Sequence, residues 1–271
     1  MKNNQLKSKK IEQCCAKCIK LIKSHHGQKR AHPLTWKEQT EQEVHMLLSD
    51  IIGPVMVGPS SSHTAGAVRI GNVARRLLAE RVASARITLH GSFRATGRGH
   101  GTDRAIVAGL LGMHVDDSRI PDSFEIAEKE GLDFSLTGAD LGDSFHPNTA
   151  KIDLTGVSGT ELEVVASSVG GGRIRVVQID GLDVSFSGEC PTLIVQNVDQ
   201  PGHVAEVTSM LEHKSVNIAA MQLVRENRGG KAAMVIVCDQ EIPAEAVKWL
   251  TRLEGVIKVI YLSMEEPESG V

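Results

Sequence analysis

Two short polar segments carry the residues of this chain whose types and spacing best suit chemistry. The first is Ser60-Ser-Ser-His63-Thr64. At the start of a helix, hydroxyls and free backbone N–H groups bind a carboxylate, and the helix dipole adds positive charge. His63 has an ordinary pKa near neutrality, so it is a candidate acid or base. The alternative is that Ser61 or Ser62 only caps the helix and His63 is an ordinary surface residue.

The second segment is Gly97-Arg-Gly-His-Gly-Thr-Asp103. Its alternating glycines allow the backbone to approach a ligand closely, and His100 is placed to orient a substrate or to carry a proton. The spacing differs from the G-x-G-x-x-G fingerprint, which disfavours a nucleotide site. Asp103 is also explained as an acidic residue in the first turn of a helix. We interpret the triplet Gly170–Gly172 as a structural bend.

Hydrophobic periodicity predicts the elements that must position these segments. A helix is predicted over residues 65–80, with a buried stripe at helical spacing, so Ser60–Thr64 precede its first turn. The other elements predicted for this half are a strand at 86–90, a loop at 91–101, a helix at 102–113 capped by Thr102, a short helix within 118–131, and antiparallel strands at 149–155, 161–167 and 173–186.

The C-terminal part of the chain predicts a different unit. Strands at 192–198, 217–225, 231–238 and 256–262 alternate with helices at 203–213 and 243–253. Turns are predicted at Asp199-Gln-Pro-Gly202 and at 227–230. The resulting β-α-β-β-α-β order is that of the ferredoxin-like fold. Residues 263–271 form a polar, acidic tail.

Composition excludes several classes of protein. The 271 residues are 41% apolar and 23% charged, which suits two small globular domains and rules out wholesale disorder. Aromatic residues make up only 3%, and residues 46–271 carry 20 Lys and Arg against 29 Asp and Glu. Both features argue against a nucleic-acid partner. No apolar run approaches the ~18 residues of a membrane-spanning helix, so no membrane contact is expected.

The basic segment 1–45 differs from the rest of the chain. It carries 10 Lys and Arg against 4 Asp and Glu, and its pattern predicts a short amphipathic helix in a mobile extension. Metal binding by Cys14, Cys15 and Cys18 is disfavoured, because only the last two have zinc-ligand spacing. An alternative is that the native chain starts at Met46. Few, scattered cysteines and no signal-peptide pattern favour a cytoplasmic protein.

These residues resemble two known families. Residues 46–189 resemble the beta chain of the bacterial iron–sulfur L-serine dehydratase, and residues 190–262 resemble an ACT domain, a small amino-acid-sensing module. The first resemblance is carried by Asp50-Ile-Ile-Gly-Pro, Gly58-Pro-Ser-Ser-Ser-His-Thr-Ala-Gly66, Gly97-Arg-Gly-His-Gly-Thr-Asp103 and Ser168-Val-Gly-Gly-Gly172, and the second by Asp199-Gln-Pro-Gly202 and Asn217-Ile218. The resemblance implies an α+β fold, in which an allosteric-substrate-binding-like mixed domain precedes a ferredoxin-like ACT domain.

The first resemblance implies a lyase of amino-acid metabolism, an L-serine ammonia-lyase that converts L-serine to pyruvate and ammonia. It implies that His63 and His100 are catalytic and that the substrate is bound by Ser60, Ser61, Ser62, Thr64, Gly99 and Thr102. In the two-chain form of the family, a [4Fe-4S] cluster belongs to a separate alpha chain. The body of this chain offers only Cys190 and Cys238, whereas a cluster with one open iron needs three thiolates. We therefore expect no metal site in this chain and an alpha-chain partner.

The second resemblance implies an amino-acid pocket formed by Asp199, Gly202, His203 and Asn217, lying between two such domains, with L-serine as its ligand. The alternative for this part is a dimerisation module without a ligand. For the whole chain, the alternative is a non-enzymatic amino-acid sensor built from the same two domains. The regulatory tail of a dehydrogenase is disfavoured, because the sequence has no dinucleotide-binding pattern.

Overall fold

We describe residues 54–265 of a computed structural model of the chain. The predicted extension 1–45, with Cys14, Cys15 and Cys18, lies outside the described residues, as do the Asp50-Ile-Ile-Gly segment and residues 266–271 of the predicted tail. The described residues all belong to one compact unit. No helix among them is long and apolar enough to cross a membrane.

The first helix begins with a π-helical turn. This π-turn, Ser61–Ala65, runs without a break into α1, Gly66–Leu78. The apolar residues at helical spacing are buried, as predicted: Val68, Ile70, Val73, Ala74, Leu77 and Leu78. The helix ends where Ala79 adopts a left-handed conformation, with φ of 58°. The prediction of a helix over 65–80 is confirmed to within two residues at its end.

The first sheet has six strands in the order β2-β1-β3-β4-β5-β6. Its strands are β1 Val82–Leu89, β2 Asp133–Gly138, β3 Thr149–Gly156, β4 Glu161–Gly170, β5 Arg173–Ile179 and β6 Leu182–Phe186. Strand β2 pairs parallel with β1, and all other pairs are antiparallel. Three α-helices follow β1 along the chain: α2 Gly91–His100, α3 Thr102–Leu110 and α4 Ser123–Glu130.

The prediction of a loop over 91–101 was wrong, because α2 occupies it. The helix has no side-chain N-cap and contains three glycines, both of which weaken a helix on its own. Its first N–H groups are satisfied instead by the Pro147 carbonyl oxygen, which accepts from Ser92 N at 2.7 Å and from Phe93 N at 3.4 Å. The Phe93 side chain is fully buried. The helix therefore depends on tertiary contacts that the local sequence does not show.

Three further local predictions were wrong. Thr102 does not cap α3, because Gly101 occupies the cap position with φ of 68° and no side-chain bond is made there. The segment 173–186 is two strands, separated by a turn at Asp180 and Gly181. Strand β2 was missed because it lies at the edge of the sheet with mostly exposed residues, which weakens its alternating pattern.

The second sheet has the predicted β-α-β-β-α-β chain order. Its elements are β7 Thr192–Val198, α5 His203–His213, β8 Ile218–Arg225, β9 Lys231–Cys238, α6 Ala244–Leu250 and β10 Val256–Leu262. The strands lie in the order β10-β7-β9-β8. Helix α6 is shorter than the predicted 243–253, because the chain turns after Leu250.

The strands of the second sheet other than β8 contribute buried residues on both faces. On one face Leu193, Met234 and Ile236 form a hydrophobic core that includes residues of α5 and α6. On the other face, Ile194 and Val235 join the core of the first sheet. The predicted boundary at 189/190 therefore marks a change of sheet within a continuous core. The fold is α+β with two sheets, in agreement with the predicted class.

Two glycines set the distance between α1 and α3, which leads to a stability prediction. A Cβ at Gly109 would lie 2.1 Å from the Val68 carbonyl oxygen, and one at Gly71 would lie 2.2 Å from the Ile106 carbonyl oxygen. We expect Gly71→Ala and Gly109→Ala each to lower the free energy of unfolding by about 1–3 kcal/mol, because the helices must separate. Urea denaturation measures the change.

Gly99→Ala is the matched control for these variants. Gly99 is also helical, but a Cβ there meets no atom within 4 Å. We expect it to leave the stability unchanged or to raise it by up to about 1 kcal/mol through helix propensity. Equal destabilisation by all three variants would contradict the close-packing argument.

Candidate active site

The π-turn presents free hydrogen-bond donors at the start of a long helix. Ser60 is the N-cap: its Oγ accepts the backbone N–H of His63 at 3.1 Å, and its carbonyl oxygen accepts that of Thr64 at 2.8 Å. The cap is therefore Ser60, and neither Ser61 nor Ser62 has that role. The backbone N–H groups of Ser61 and Ser62 have no acceptor within the helix, and both side chains are half-buried. This arrangement suits a carboxylate.

A hydrogen bond joins the two segments singled out in the sequence. The Thr64 side chain is 3% exposed, and its hydroxyl donates to the His100 carbonyl oxygen at 3.1 Å. The centroids of the His63 and His100 rings lie 4.9 Å apart. The fold thus brings together the two histidines predicted to be functional. Because the Thr64 hydroxyl proton is committed to His100, that hydroxyl serves the structure of the site.

The His63 ring is held by residues from α2. Its Nε2 lies 2.9 Å from Ser92 Oγ, and its Nδ1 lies 3.4 Å from Ser60 Oγ. The Phe93 ring meets it edge-on, with centroids 5.5 Å apart. Sequence analysis missed Ser92 and Phe93, because both lie in the segment predicted as a loop. Only a prediction of helix α2 from the local sequence would have indicated these two residues.

The environment of His63 favours its neutral form. Burial lowers the pKa of the imidazole below its ordinary value of 6.5, and the nearby His100 lowers it further. Both causes act against the positive charge, because the ring loses solvation and a second charge would lie close by. At neutral pH the ring therefore carries one proton and one lone pair. It is suited to accept a proton from a bound substrate.

His100 and its neighbours lie at different depths. His100 is half-buried, and its Nδ1 is buried without a hydrogen-bond partner among the described residues. Gly99 is exposed at the surface. Thr102 is fully buried, and its hydroxyl likewise has no partner within the described part of the chain. The substrate-binding roles of Gly99 and Thr102 stay predictions.

Strand β4 packs against the π-turn and the first residue of α1. The Ser168 Oγ lies 2.1 Å from where a Cβ of Gly66 would be, so only glycine fits at this point of the helix. Ser168 is fully buried, and its hydroxyl has no partner among the described residues. The triplet Gly170–Gly172 forms the turn from β4 to β5, with positive φ at all three residues. Arg69 in α1 donates to the Gly172 carbonyl oxygen at 3.1 Å, which fixes this turn against the site.

A cluster held by three cysteine thiolates does not fit the described residues. They contain no group of three or more His, Cys, Asp or Glu side chains arranged to hold a metal ion. Cys190 is exposed at the start of the second sheet. Cys238 is buried in β9, where burial raises the pKa of its thiol to about 11. That thiol is protonated at neutral pH and is a poor iron ligand.

In the second sheet, three of the predicted residues surround the turn after β7. The Asp199 carboxylate accepts the backbone N–H of Gly229 at 3.0 Å, which is the main reason its pKa is lowered, and the Arg225 guanidinium at 3.1 Å. Gly202 follows in the same turn, with φ of 111°. The His203 side chain is nine-tenths buried, and neither ring nitrogen has a hydrogen-bond partner among the described residues.

Asn217 lies at the other end of this sheet. It precedes β8, where Ile218 pairs with Cys238, and its side chain donates to Asp239 Oδ2 at 2.6 Å. Asp199 follows the opposite end of β7, where Val198 pairs with Lys231. The two pairs lie seven positions apart along β9, from Lys231 to Cys238, which is a distance of about 20 Å. Within one chain, the structure does not bring Asn217 to Asp199.

Comparisons with known proteins relate most of the chain to serine dehydratase beta chains. The sequence model of the family described as serine dehydratase beta chain matches residues 50–178. The L-serine dehydratase beta chain of Peptoniphilus asaccharolyticus is 40% identical over 193 residues, which are 71% of this chain and 87% of the relative. The probable L-serine dehydratase beta chain of Bacillus subtilis is 42% identical over 210 residues, 78% of this chain and 94% of the relative. A D-3-phosphoglycerate dehydrogenase of B. subtilis is 26% identical over 159 residues, only 30% of its own length.

The contact between the two histidines predicts how His63 titrates. In the full chain, we expect NMR titration to give His63 a pKa below 6.5. His100→Gln removes one of the two causes, so it raises the pKa of His63, although burial keeps it below 6.5. If a reaction needs neutral His63, its rate falls as the pH is lowered through the pKa of this ring. In His100→Gln this fall begins at a higher pH than in the unmodified chain. The control is His213→Gln, which changes an exposed histidine of α5. A pKa of His63 at or above 6.5 in the unmodified chain would contradict this prediction.

Proposed function

Because the chain belongs to the family of serine dehydratase beta chains, we propose that it is the beta subunit that converts L-serine to pyruvate and ammonia together with a cluster-bearing alpha chain. The observation that carries this proposal is the pairing of His63 with His100 beside the free N–H groups of the π-turn. These features bind a carboxylate and exchange a proton, the two tasks that serine elimination requires of protein side chains. The protein is then a cytoplasmic lyase of amino-acid metabolism.

The reaction divides into steps that match the site. Loss of the α-proton and of the β-hydroxyl converts L-serine to aminoacrylate and water. Aminoacrylate becomes its imine, which water hydrolyses to pyruvate and ammonia. In our proposal, the N–H and hydroxyl groups of Ser61 and Ser62 hold the substrate carboxylate, with Ser60 and Thr64 fixing that segment. Neutral His63 exchanges the substrate proton, and His100 orients the substrate beside it.

We assign the [4Fe-4S] cluster of the family to the alpha chain. The described part of this chain does not fit the cluster, because it offers one exposed thiol and one buried, protonated thiol. The active site is then completed where the two chains meet. The paired histidines, together with the two beta-chain relatives, favour this enzyme over a non-enzymatic amino-acid sensor.

We further propose that the second sheet is an ACT domain that pairs two copies of the chain through β8. This strand forms one edge of the sheet, and it exposes Met221 and Leu223, the latter to 55%. Antiparallel pairing of two β8 strands places the end of one beside the start of the other. Asp199 of one copy then faces Asn217 of its partner. The pocket expected between Asp199, Gly202, His203 and Asn217 forms in this way, with L-serine as the candidate ligand.

Substitution of the histidines tests the catalytic assignment. We expect His63→Ala and His100→Ala each to lower kcat by about 100- to 10,000-fold, the range for loss of a group that transfers a proton. Each variant is co-expressed with the alpha chain without oxygen, and pyruvate formation from L-serine is measured. His213→Ala, which changes an exposed histidine, should retain full activity. Full activity in His63→Ala and His100→Ala would refute the catalytic assignment.

A charge placed on the β8 edge tests the pairing of two copies. We expect Leu223→Asp to convert the dimer of the full chain to a monomer, because an unpaired carboxylate would be buried at the interface. Light scattering coupled to gel filtration measures the mass, and calorimetry measures L-serine binding, which should be lost together with the dimer. Val157→Asp, at an equally exposed valine in the turn after β3, is the control. An unchanged dimer mass in Leu223→Asp would exclude this interface.

A further inference from the structure

We infer that Ser92 is a positioning residue that holds the His63 imidazole in one orientation for proton transfer. The inference rests on the proposed function, because it concerns how His63 is prepared for its role. Ser92 is not among the residues that the sequence indicated. Three kinds of observation support the inference: the contact itself, the anchoring of Ser92, and the few other polar contacts that restrain the ring.

The contact is a direct hydrogen bond between side chains 29 residues apart. Ser92 Oγ lies 2.9 Å from His63 Nε2, within the normal range. The other ring nitrogen, Nδ1, lies 3.4 Å from Ser60 Oγ, which is long for a hydrogen bond. Ser60 Oγ also accepts the backbone N–H of His63, so its lone pairs are partly used. Ser92 is therefore the stronger polar restraint on the ring.

Ser92 is itself held in place by its surroundings. Its backbone N–H donates to the Pro147 carbonyl oxygen at 2.7 Å. The preceding Gly91 has φ of 53°, and a Cβ there would lie 2.6 Å from the Pro147 oxygen. Only glycine allows this close approach. The following Phe93 is fully buried, so the first turn of α2 cannot rotate without breaking packing.

The other neighbours of the ring restrain its position without distinguishing its two flipped orientations. Phe93 and His100 contact the ring with centroids 5.5 Å and 4.9 Å away. A flip of the imidazole by 180° about its Cβ–Cγ bond places a carbon where each nitrogen was, and ring contacts of this kind do not tell nitrogen from carbon. The hydrogen bond to Ser92 distinguishes the two orientations, because only a nitrogen at the Nε2 position bonds the hydroxyl.

Ser92→Ala tests the inference with two readouts in the full chain. The first is the NMR shift of His63 Nε2 in the chain without its partner. We expect this shift to move in Ser92→Ala, because the nitrogen loses its hydrogen-bond partner. The second is activity with the alpha chain, where we expect kcat to fall by about 10- to 100-fold with little change in KM, the loss typical when a supporting partner of a functional histidine is removed. Substrate binding does not use the Ser92 hydroxyl, so KM is the internal control.

Two further variants separate positioning from folding. Ser92→Thr retains a hydroxyl and should restore both readouts to within about threefold of the unmodified chain. Thr96→Ala removes a hydrogen bond from the same turn of α2 without touching His63, so it should change thermal stability but neither readout. If Ser92→Ala does not fold, Ser92→Cys keeps the side-chain volume and loses most of the hydrogen-bond strength. It is then measured in its place.

The outcomes distinguish this inference from the proposed function. An unchanged Nε2 shift and an unchanged kcat in Ser92→Ala, combined with loss of activity in His63→Ala, would overturn the role of Ser92 and leave the proposed function standing. Full activity in His63→Ala would overturn the proposed function itself. Equal losses in Thr96→Ala and Ser92→Ala would also overturn the inference, because they would show that the turn matters only for stability.

Discussion

The hydrogen bond from the Thr64 hydroxyl to the His100 carbonyl oxygen is the constraint on which the site depends. The Thr64 side chain is buried, and the bond joins the start of one helix to the end of another, 36 residues apart in sequence. A buried hydroxyl without this acceptor would carry a desolvation penalty, so contact between the two segments is favoured. Because His63 adjoins Thr64 and His100 is itself the acceptor residue, the same bond holds the two rings near each other.

The distance between the two rings determines the electrostatics of the pair. Two imidazolium ions with ring centroids 4.9 Å apart repel each other, and burial of His63 adds a desolvation cost. The site therefore keeps His63 neutral where an isolated histidine would be partly charged. A neutral imidazole is thus kept beside the positive end of the α1 dipole, an environment that favours a carboxylate.

Close backbone approach makes the site rigid enough for these distances to hold. Gly66 admits Ser168 beneath the π-turn, and Gly91 admits Pro147 against the start of α2. In each case the neighbour occupies the space that a Cβ would need, so the helices rest directly on the first sheet and its loops. The second sheet shares the hydrophobic core of the first. Packed apolar contacts therefore join the two sheets.

The sequence by itself determined the α+β class, the β-α-β-β-α-β order and the helix that begins just after Ser60, because these depend on apolar periodicity and on turn residues that act locally. It also singled out the segments of His63 and His100, which the fold brings together and whose catalytic roles stay predictions. Only the tertiary structure decided that residues 91–100 are helical and that Ser92, Phe93 and Ser168 contribute to the site. The physical reason is that α2 is capped by a carbonyl oxygen 55 residues further along the chain, at Pro147, and is held by burial of Phe93. Asn217 shows the same limit, because its separation from Asp199 follows from strand pairing, which no local pattern contains.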